Sequence, residues 1–455
     1  MQLHTDVIAP VILGTTSILF FAVLGRFAAR RLGQPSVLGE LLMGILIGTL
    51  GYAFSNDFIL VLREGPALFN MVDYLLHGEP LKQASEHALG KNHSQELIEI
   101  LGGPRGEDYL KVAQTVDIFS RYGIIFMLFL VGLETSLGDL RRVGMQSTLV
   151  ALIGVIAPFT LGLILTILFL PDLELQTDLF IAATLIATSV GITARVLRDM
   201  GQHQTKTATT ILGAAIIDDV LGLIILAVVS GIIVSGGVKV WDILLIIAMS
   251  LLFFVIAFVL GPKFLNVVIR AVRHLDLAEA KMFISFLFVM ALAWLANLIG
   301  LATIIGAFTA GVILHDGYFR HWGDASQHRL SIKDLISPLE TILVPIFFIL
   351  MGIQVKLETF LDLEVVVVAI AFILVAIVGK LLAGFGAMRG CNPVAVGIGM
   401  LPRGEVGLIF AALGKSLGVL GDELFSSIVI MVVVTTLITP PLLKLALARS
   451  KSGCE

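Results

Sequence analysis

Charge-free apolar runs long enough to cross a bilayer recur along the whole chain, and nothing else in the sequence limits its fold as tightly. Residues 144–170, GMQSTLVALIGVIAPFTLGLILTILFL, hold no charged side chain. A helical span needs about 20 apolar residues, because a helix rises about 1.5 Å per residue across a hydrocarbon core of about 30 Å. Of the 455 residues, 57% are hydrophobic and only 14% are charged, against about 25% charged in soluble domains. A soluble protein of this length would need a charged surface that this composition does not supply. The fold class is therefore an all-α polytopic membrane protein. The net charge of −4 is small, and no nucleic-acid partner is expected. The two cysteines, Cys391 and Cys454, fall near expected cytoplasmic ends, so no disulfide framework is expected. The N-terminal MQLHTDVIAP lacks a positive region, which argues against a cleaved signal peptide.

About thirteen candidate spans follow: residues 7–25, 37–54, 118–134, 144–170, 178–196, 208–234, 240–260, 279–298, 300–314, 335–353, 365–387, 394–413 and 423–444. The ninth is short and has a re-entrant reading. Lysines and arginines stay on the cytoplasmic side. Most of the 30, among them Arg26, Arg30, Arg31, Lys263, Arg270 and Lys444, fall on one side when the N-terminus is outside and the C-terminus inside. The segment 55–116 is a polar, acidic outside loop with short helical patterns and no span. Its histidines, His77, His87 and His93, read as solvated loop residues.

Spans four to six and eleven to thirteen run in opposite directions, as an inverted repeat requires. The middle member of each triplet carries helix-weakening residues at mid-depth: ATSVGITAR (187–195) in the fifth span and GIGMLPRGEVG (397–407) in the twelfth. Pro402 removes a backbone donor outright. Discontinuous helices at matching places in two halves point to a transport site.

Within the sixth span, AAIIDDVLG places Asp218 and Asp219 about ten residues from its start, about 15 Å deep. Each central acid costs about 2.5–3.5 kcal/mol on insertion scales, so a purely structural role is a poor explanation. Burial and mutual repulsion both penalise the charged form. A carboxylate that can hold either a proton or a hard cation binds the two competitively, and oxygen ligands suit such cations. Thr188 and Ser189 lie at similar depth and offer hydroxyls to an oxygen cage, or bond back to their own helix. Lys380, Arg403 and Glu405 lie deep in spans eleven and twelve, where they neutralise one another or satisfy free carbonyl ends. Glu340, nearer the cytoplasm, lines an inner funnel or caps its helix.

At these residues the chain resembles the large bacterial family of monovalent cation:proton antiporters that includes the Kef and NapA types. The matching stretches are GQPSVLGELLMGILIG (33–48), FLVGLETSL (129–137), ATSVGITARVL (187–197), GAAIIDDVLGL (213–223), PIFFILMGI (345–353) and LPRGEVGLI (401–409). The resemblance implies an NhaA-type inverted repeat with two crossed, interrupted helices and a homodimer in the bacterial inner membrane. It makes Asp219 the shared carboxylate for cation and proton, Asp218 its partner, and puts Thr188 and Ser189 at the crossing. The implied domains are 1–54 (dimerisation and panel helices), 55–116 (periplasmic insertion), 117–234 (first core part, repeat 144–234), 235–314 (panel and linker), 315–446 (second core part, repeat 365–446) and 447–455 (cytoplasmic tail). In one respect the chain departs from some electrogenic relatives, those that carry a lysine in the tenth span paired with the first acid. None occurs between Lys333 and Lys356, where Glu340 stands instead. Kef-type relatives append a cytoplasmic nucleotide-binding domain; no Gly-rich phosphate loop following a strand is found here, so nucleotide gating is not expected from this chain.

The expected activity is exchange of Na+ (or Li+) for H+, with no cofactor and no enzyme chemistry; the bilayer, the cation and the proton are its partners. K+/H+ exchange keeps the same mechanism. A passive cation channel would need a continuous polar filter. An intramembrane protease would need two acids facing each other, whereas neighbours on a helix point about 100° apart.

Overall fold

The computed structural model describes residues 8–76, 91–134, 144–200, 202, 205–235, 240–272, 276–319, 330–387 and 391–451, and their regular structure is entirely helical. His77, His87, Cys454 and residues 135–143 of the expected core lie outside the described residues. The long helices are α1 (Ala9–Arg31) and α2 (Ser36–Ala53). Then come α3 (Asp57–Arg63), α4 (Gly65–Leu76), α5 (Lys91–Gly102) and α6 (Gly106–Glu134). Next are α7 (Met145–Phe169), α8 (Leu175–Thr184), α9 (Val190–Asp199), α10 (Lys206–Ser235) and α11 (Val240–Ala271). The remainder are α12 (Leu277–Leu298), α13 (Thr303–Ile313), α14 (Ile332–Ile353), α15 (Leu363–Ala383), α16 (Pro393–Gly399), α17 (Glu405–Ser416) and α18 (Asp422–Lys451).

Ten of the described helices are long and apolar enough to cross a membrane. The chain is an all-helical polytopic membrane protein. The other three expected spans correspond to the short α13 and to two interrupted pairs, α8/α9 and α16/α17. Two boundaries differ from expectation. The expected loop 55–116 contains α3, α4 and α5, and α6 begins at Gly106 rather than near 118. Glu107 and Asp108 in the first turn of α6 suit the positive end of its dipole, so a polar stretch that reads as loop extends the helix. The first interruption covers residues 185–189, so Val190–Arg195 of the expected weak stretch are helical.

The chain divides into two compact units. The first comprises residues 1–124, 341–365 and 421–426. Here α1 and α2 pack so closely that a Cβ on Gly39 would lie 2.1 Å from the Gly25 carbonyl oxygen. Small residues are what allow membrane helices to approach this near. Arg26 pairs with the fully buried Glu40 at 2.6 Å across the same contact. An ion cluster ties α3 to the segment that follows α14. Buried Arg63 donates to the Val355 carbonyl at 3.2 Å and pairs with Glu358 at 2.8 Å, while buried Lys356 pairs with Glu64 and, at 2.7 Å, with Asp422.

The second unit, residues 125–340, 366–420 and 427–455, holds α7 to α13, both interrupted pairs and most of α15 and α18. Its centre is α7 and α10, packed through Val150, Ala151, Ile211, Ala214 and Ala215, with Val396 and Met400 of the second interrupted pair filling the same cluster. Gly379 of α15 lets that helix reach Pro158 of α7, where a Cβ would stand 2.7 Å from the proline Cα.

Candidate functional site

Both interruptions lie in the second unit and bond to each other. A helix end leaves four backbone groups without intrahelical partners, and in an apolar interior each must find one. The Ser189 N–H donates to the Pro402 carbonyl at 2.7 Å. The Thr193 hydroxyl donates to the Gly399 carbonyl at 2.7 Å, and that of Thr188 to Met400 at 3.4 Å. In return, fully buried Arg403 donates from Nη1 to the Ala187 carbonyl at 2.6 Å and from Nη2 to Ala376 of α15 at 3.4 Å. The guanidinium thus stands at the negative end of α8, and Glu405 opens α17 at its positive end. Ser189 Oγ donates to Glu405 Oε2 at 2.9 Å. Gly404 is required here by space: a Cβ would lie 2.7 Å from Ser189 Oγ.

Asp218 and Asp219 sit in the middle of α10. Asp218 is 1% exposed and Lys380 is 0% exposed; Lys380 Nζ donates to Asp218 Oδ1 at 2.6 Å. Gly154 of α7 lies over the pair: a Cβ there would stand in ordinary contact, 3.6 Å, with both Asp218 Oδ1 and Lys380 Nζ. Asp219 is different. It is partly exposed, its Oδ1 is buried without a hydrogen-bond partner, and it forms none of the ion pairs found among the described residues. It lies within electrostatic reach of Asp218, Glu405 and Lys380. A buried carboxylate oxygen without a donor costs about 1–3 kcal/mol, more when charged. A proton or a cation removes that cost.

The structure therefore brings together Asp218, Lys380 and neighbouring Asp219, and separately joins Thr188, Ser189, Arg403 and Glu405 at the two breaks. One assignment changes. Lys380 was expected in a network with Arg403 and Glu405; it binds Asp218 directly. The tenth span carries no lysine, as its sequence shows, and the lysine paired with Asp218 comes from α15, the eleventh expected span. Its signal was legible as the single charge between 365 and 387, but helix pairing had to be known before it could be matched to Asp218. Glu340 lies half-buried in α14, two turns beyond Lys333, whose charge it influences.

The family model described as "Sodium/hydrogen exchanger, transmembrane" matches residues 17–448. The chain belongs to this exchanger family. Among related exchangers, the chain is 32% identical to the high-affinity Na+/H+ antiporter NhaS3 of Synechocystis, covering 98% of this chain and 91% of that one. It is 30% identical to the Na+/H+–K+ antiporter GerN of Bacillus cereus, covering 91% and 90%. In fold it is similar to the sodium proton antiporter MjNhaP1 of Methanocaldococcus jannaschii, with a TM-score of 0.59, 17% identity and 96% of each chain covered.

Proposed function

We propose that this exchanger-family chain is a secondary antiporter. It exchanges Na+ (or Li+) for protons by alternating access, with cation and proton competing for Asp219 and Asp218. The observation that carries the reading is the buried, donor-less oxygen of Asp219 beside the Asp218–Lys380 pair. A carboxylate so placed is occupied in turn by a proton and by a monovalent cation, because either one supplies the missing positive partner. The hydroxyls of Thr188 and Ser189 donate elsewhere, which leaves their oxygen lone pairs for a dehydrated cation.

Lys380 sets the charge balance. With Asp219 protonated, Lys380 holds Asp218. A cation shared by both carboxylates displaces the ammonium, which leaves water-free surroundings as the neutral amine. One proton then comes from Asp219 and one from Lys380 for each monovalent cation, so the exchange moves net charge.

The same reading takes the interrupted pairs, α13 and the ten long helices as thirteen spans in an NhaA-type inverted repeat (144–234 and 365–446). The N-terminus is outside, the C-terminus is cytoplasmic, and the protein is a homodimer of NapA type in a bacterial inner membrane. The segment 55–116 is then periplasmic. A K+-coupled mode is the second reading, favoured by the K+ in the name of GerN.

Proton movement in proteoliposomes, read with a ΔpH dye on adding Na+, Li+ or K+, tests this. Wild type and Asp219→Asn are compared with the membrane potential free and clamped. A Na+-driven signal that is absent in Asp219→Asn and accelerated by the clamp supports the reading. A K+-only signal selects the second, and an undiminished Asp219→Asn signal refutes the site.

A further inference from the structure

Asp178, four residues into α8, takes no part in the site above. It is 5% exposed, its Oδ1 is buried without a hydrogen-bond partner, and no ion pair among the described residues includes it. An acid in a first helical turn is ordinary when it faces water and neutralises the helix dipole. Asp178 is buried against protein instead. Its register shows where: a Cβ on Gly162 of α7 would meet Leu185 and Ala182 of α8. Asp178 lies one turn before Ala182 and two before Leu185, on the same face. It therefore looks toward the stretch of α7 beyond Gly162, where Thr166 is fully buried.

Among the described residues, the helices packed most closely against α8 are α7, α10 and α17. α7 carries no charged residue at all. The charges of α10 are Lys206, exposed at its start, and the two acids of the site, Asp218 and Asp219. On α17 they are Glu405, at the crossing, and Lys415, which is buried in the last turn and engaged with another group. Asp178 thus meets no cationic partner among these charges, and its buried Oδ1 has no donor. It shares a half-helix with the break that carries Thr188, about 15 Å farther along.

We propose that Asp178 is a second cation-binding carboxylate of the transport pathway. A monovalent cation lodges there between the N-terminal end of α8 and Asp219. Thr166 and Thr177 are the buried hydroxyls at its level. The proposal rests on the antiporter reading and on the orientation that puts the start of α8 at the outer face.

Asp178→Asn and Asp178→Glu test it in proteoliposomes sorted by orientation, with Na+ added to one face at a time and melting temperature recorded in parallel. Expected for Asp178→Asn is a rise in apparent KM of about fivefold or more for Na+ at the outer face. That is the bulk-water scale of removing one full charge about 4 Å from a cation, and dehydration enlarges it. The inner-face KM, the maximal rate and the melting temperature stay near wild type, and Asp178→Glu restores the outer KM. An unchanged KM on both faces, or equal changes on both with a lowered melting temperature, overturns the proposal while wild-type exchange leaves the antiporter reading standing. A wild type inert to Na+, Li+ and K+ overturns both.

Discussion

Replacing Lys380 with methionine keeps the length of the side chain and deletes its charge. What remains is Asp218, 1% exposed, with Oδ2 already lacking a donor and Oδ1 having lost its own at 2.6 Å. Breaking a buried ion pair on one side costs about 3–5 kcal/mol, because the surviving charge is left in low dielectric. That is a large part of the 5–15 kcal/mol that holds a typical protein folded. Removing both charges is much cheaper. Lys380→Met with Asp218→Asn leaves only the amide to satisfy, about 1–3 kcal/mol. The expected order of stability in detergent, by thermal or denaturant unfolding at one pH, is wild type, then the double variant, then Lys380→Met. A single variant as stable as wild type would mean the pair contributes nothing. A double variant no better than the single would mean that packing around Gly154, not charge, dominates. The same variants have a transport signature. On the proposed two-proton exchange, removing Lys380 leaves the second proton without a carrier, and the expected outcome is exchange that no longer responds to a clamped potential.

Three other outcomes follow from the geometry. Arg403→Leu leaves the buried Ala187 carbonyl without its donor at 2.6 Å, so stability falls by about 1.5–3 kcal/mol, read as a lowered unfolding midpoint, and Arg403→Lys recovers part of it. Gly404→Val puts a side chain where a Cβ would already stand 2.7 Å from Ser189 Oγ; the breaks are forced apart and Na+-driven proton movement is lost even where the protein still purifies. Lys356→Met strands Glu64 and Asp422, which both pair with it. Stability falls, and pre-neutralising Glu64→Gln and Asp422→Asn removes most of that effect, as a three-way comparison of melting temperatures checks.

Much of this site could be read before any fold was known, for one physical reason. Charge in hydrocarbon is expensive, so Asp218, Asp219, Lys380 and Arg403 each stand out singly against apolar surroundings. The second break was equally legible, since Pro402 cannot donate and Gly404 has no Cβ. The first break was not bounded correctly. Nothing between Leu185 and Ser189 forbids a helix; it opens because Ser189 N–H, Thr188 and Thr193 find partners on Met400, Pro402 and Gly399 instead.

The sequence by itself therefore determined the helical membrane class, the place of the two acids within a long apolar helix and the two places where helices weaken. All of these depend on the order of residues along one segment. Only the tertiary structure decided which acid is paired and which is free. Asp218 and Asp219 are identical side chains on adjacent residues, and their difference arises 162 residues away, where α15 turns Lys380 toward one of them. The same holds for Asp178, an unremarkable first-turn acid in sequence, whose isolation is set by the charge-free α7 packed over it. Burial and pairing are properties of several helices at once, and no single stretch of chain contains them.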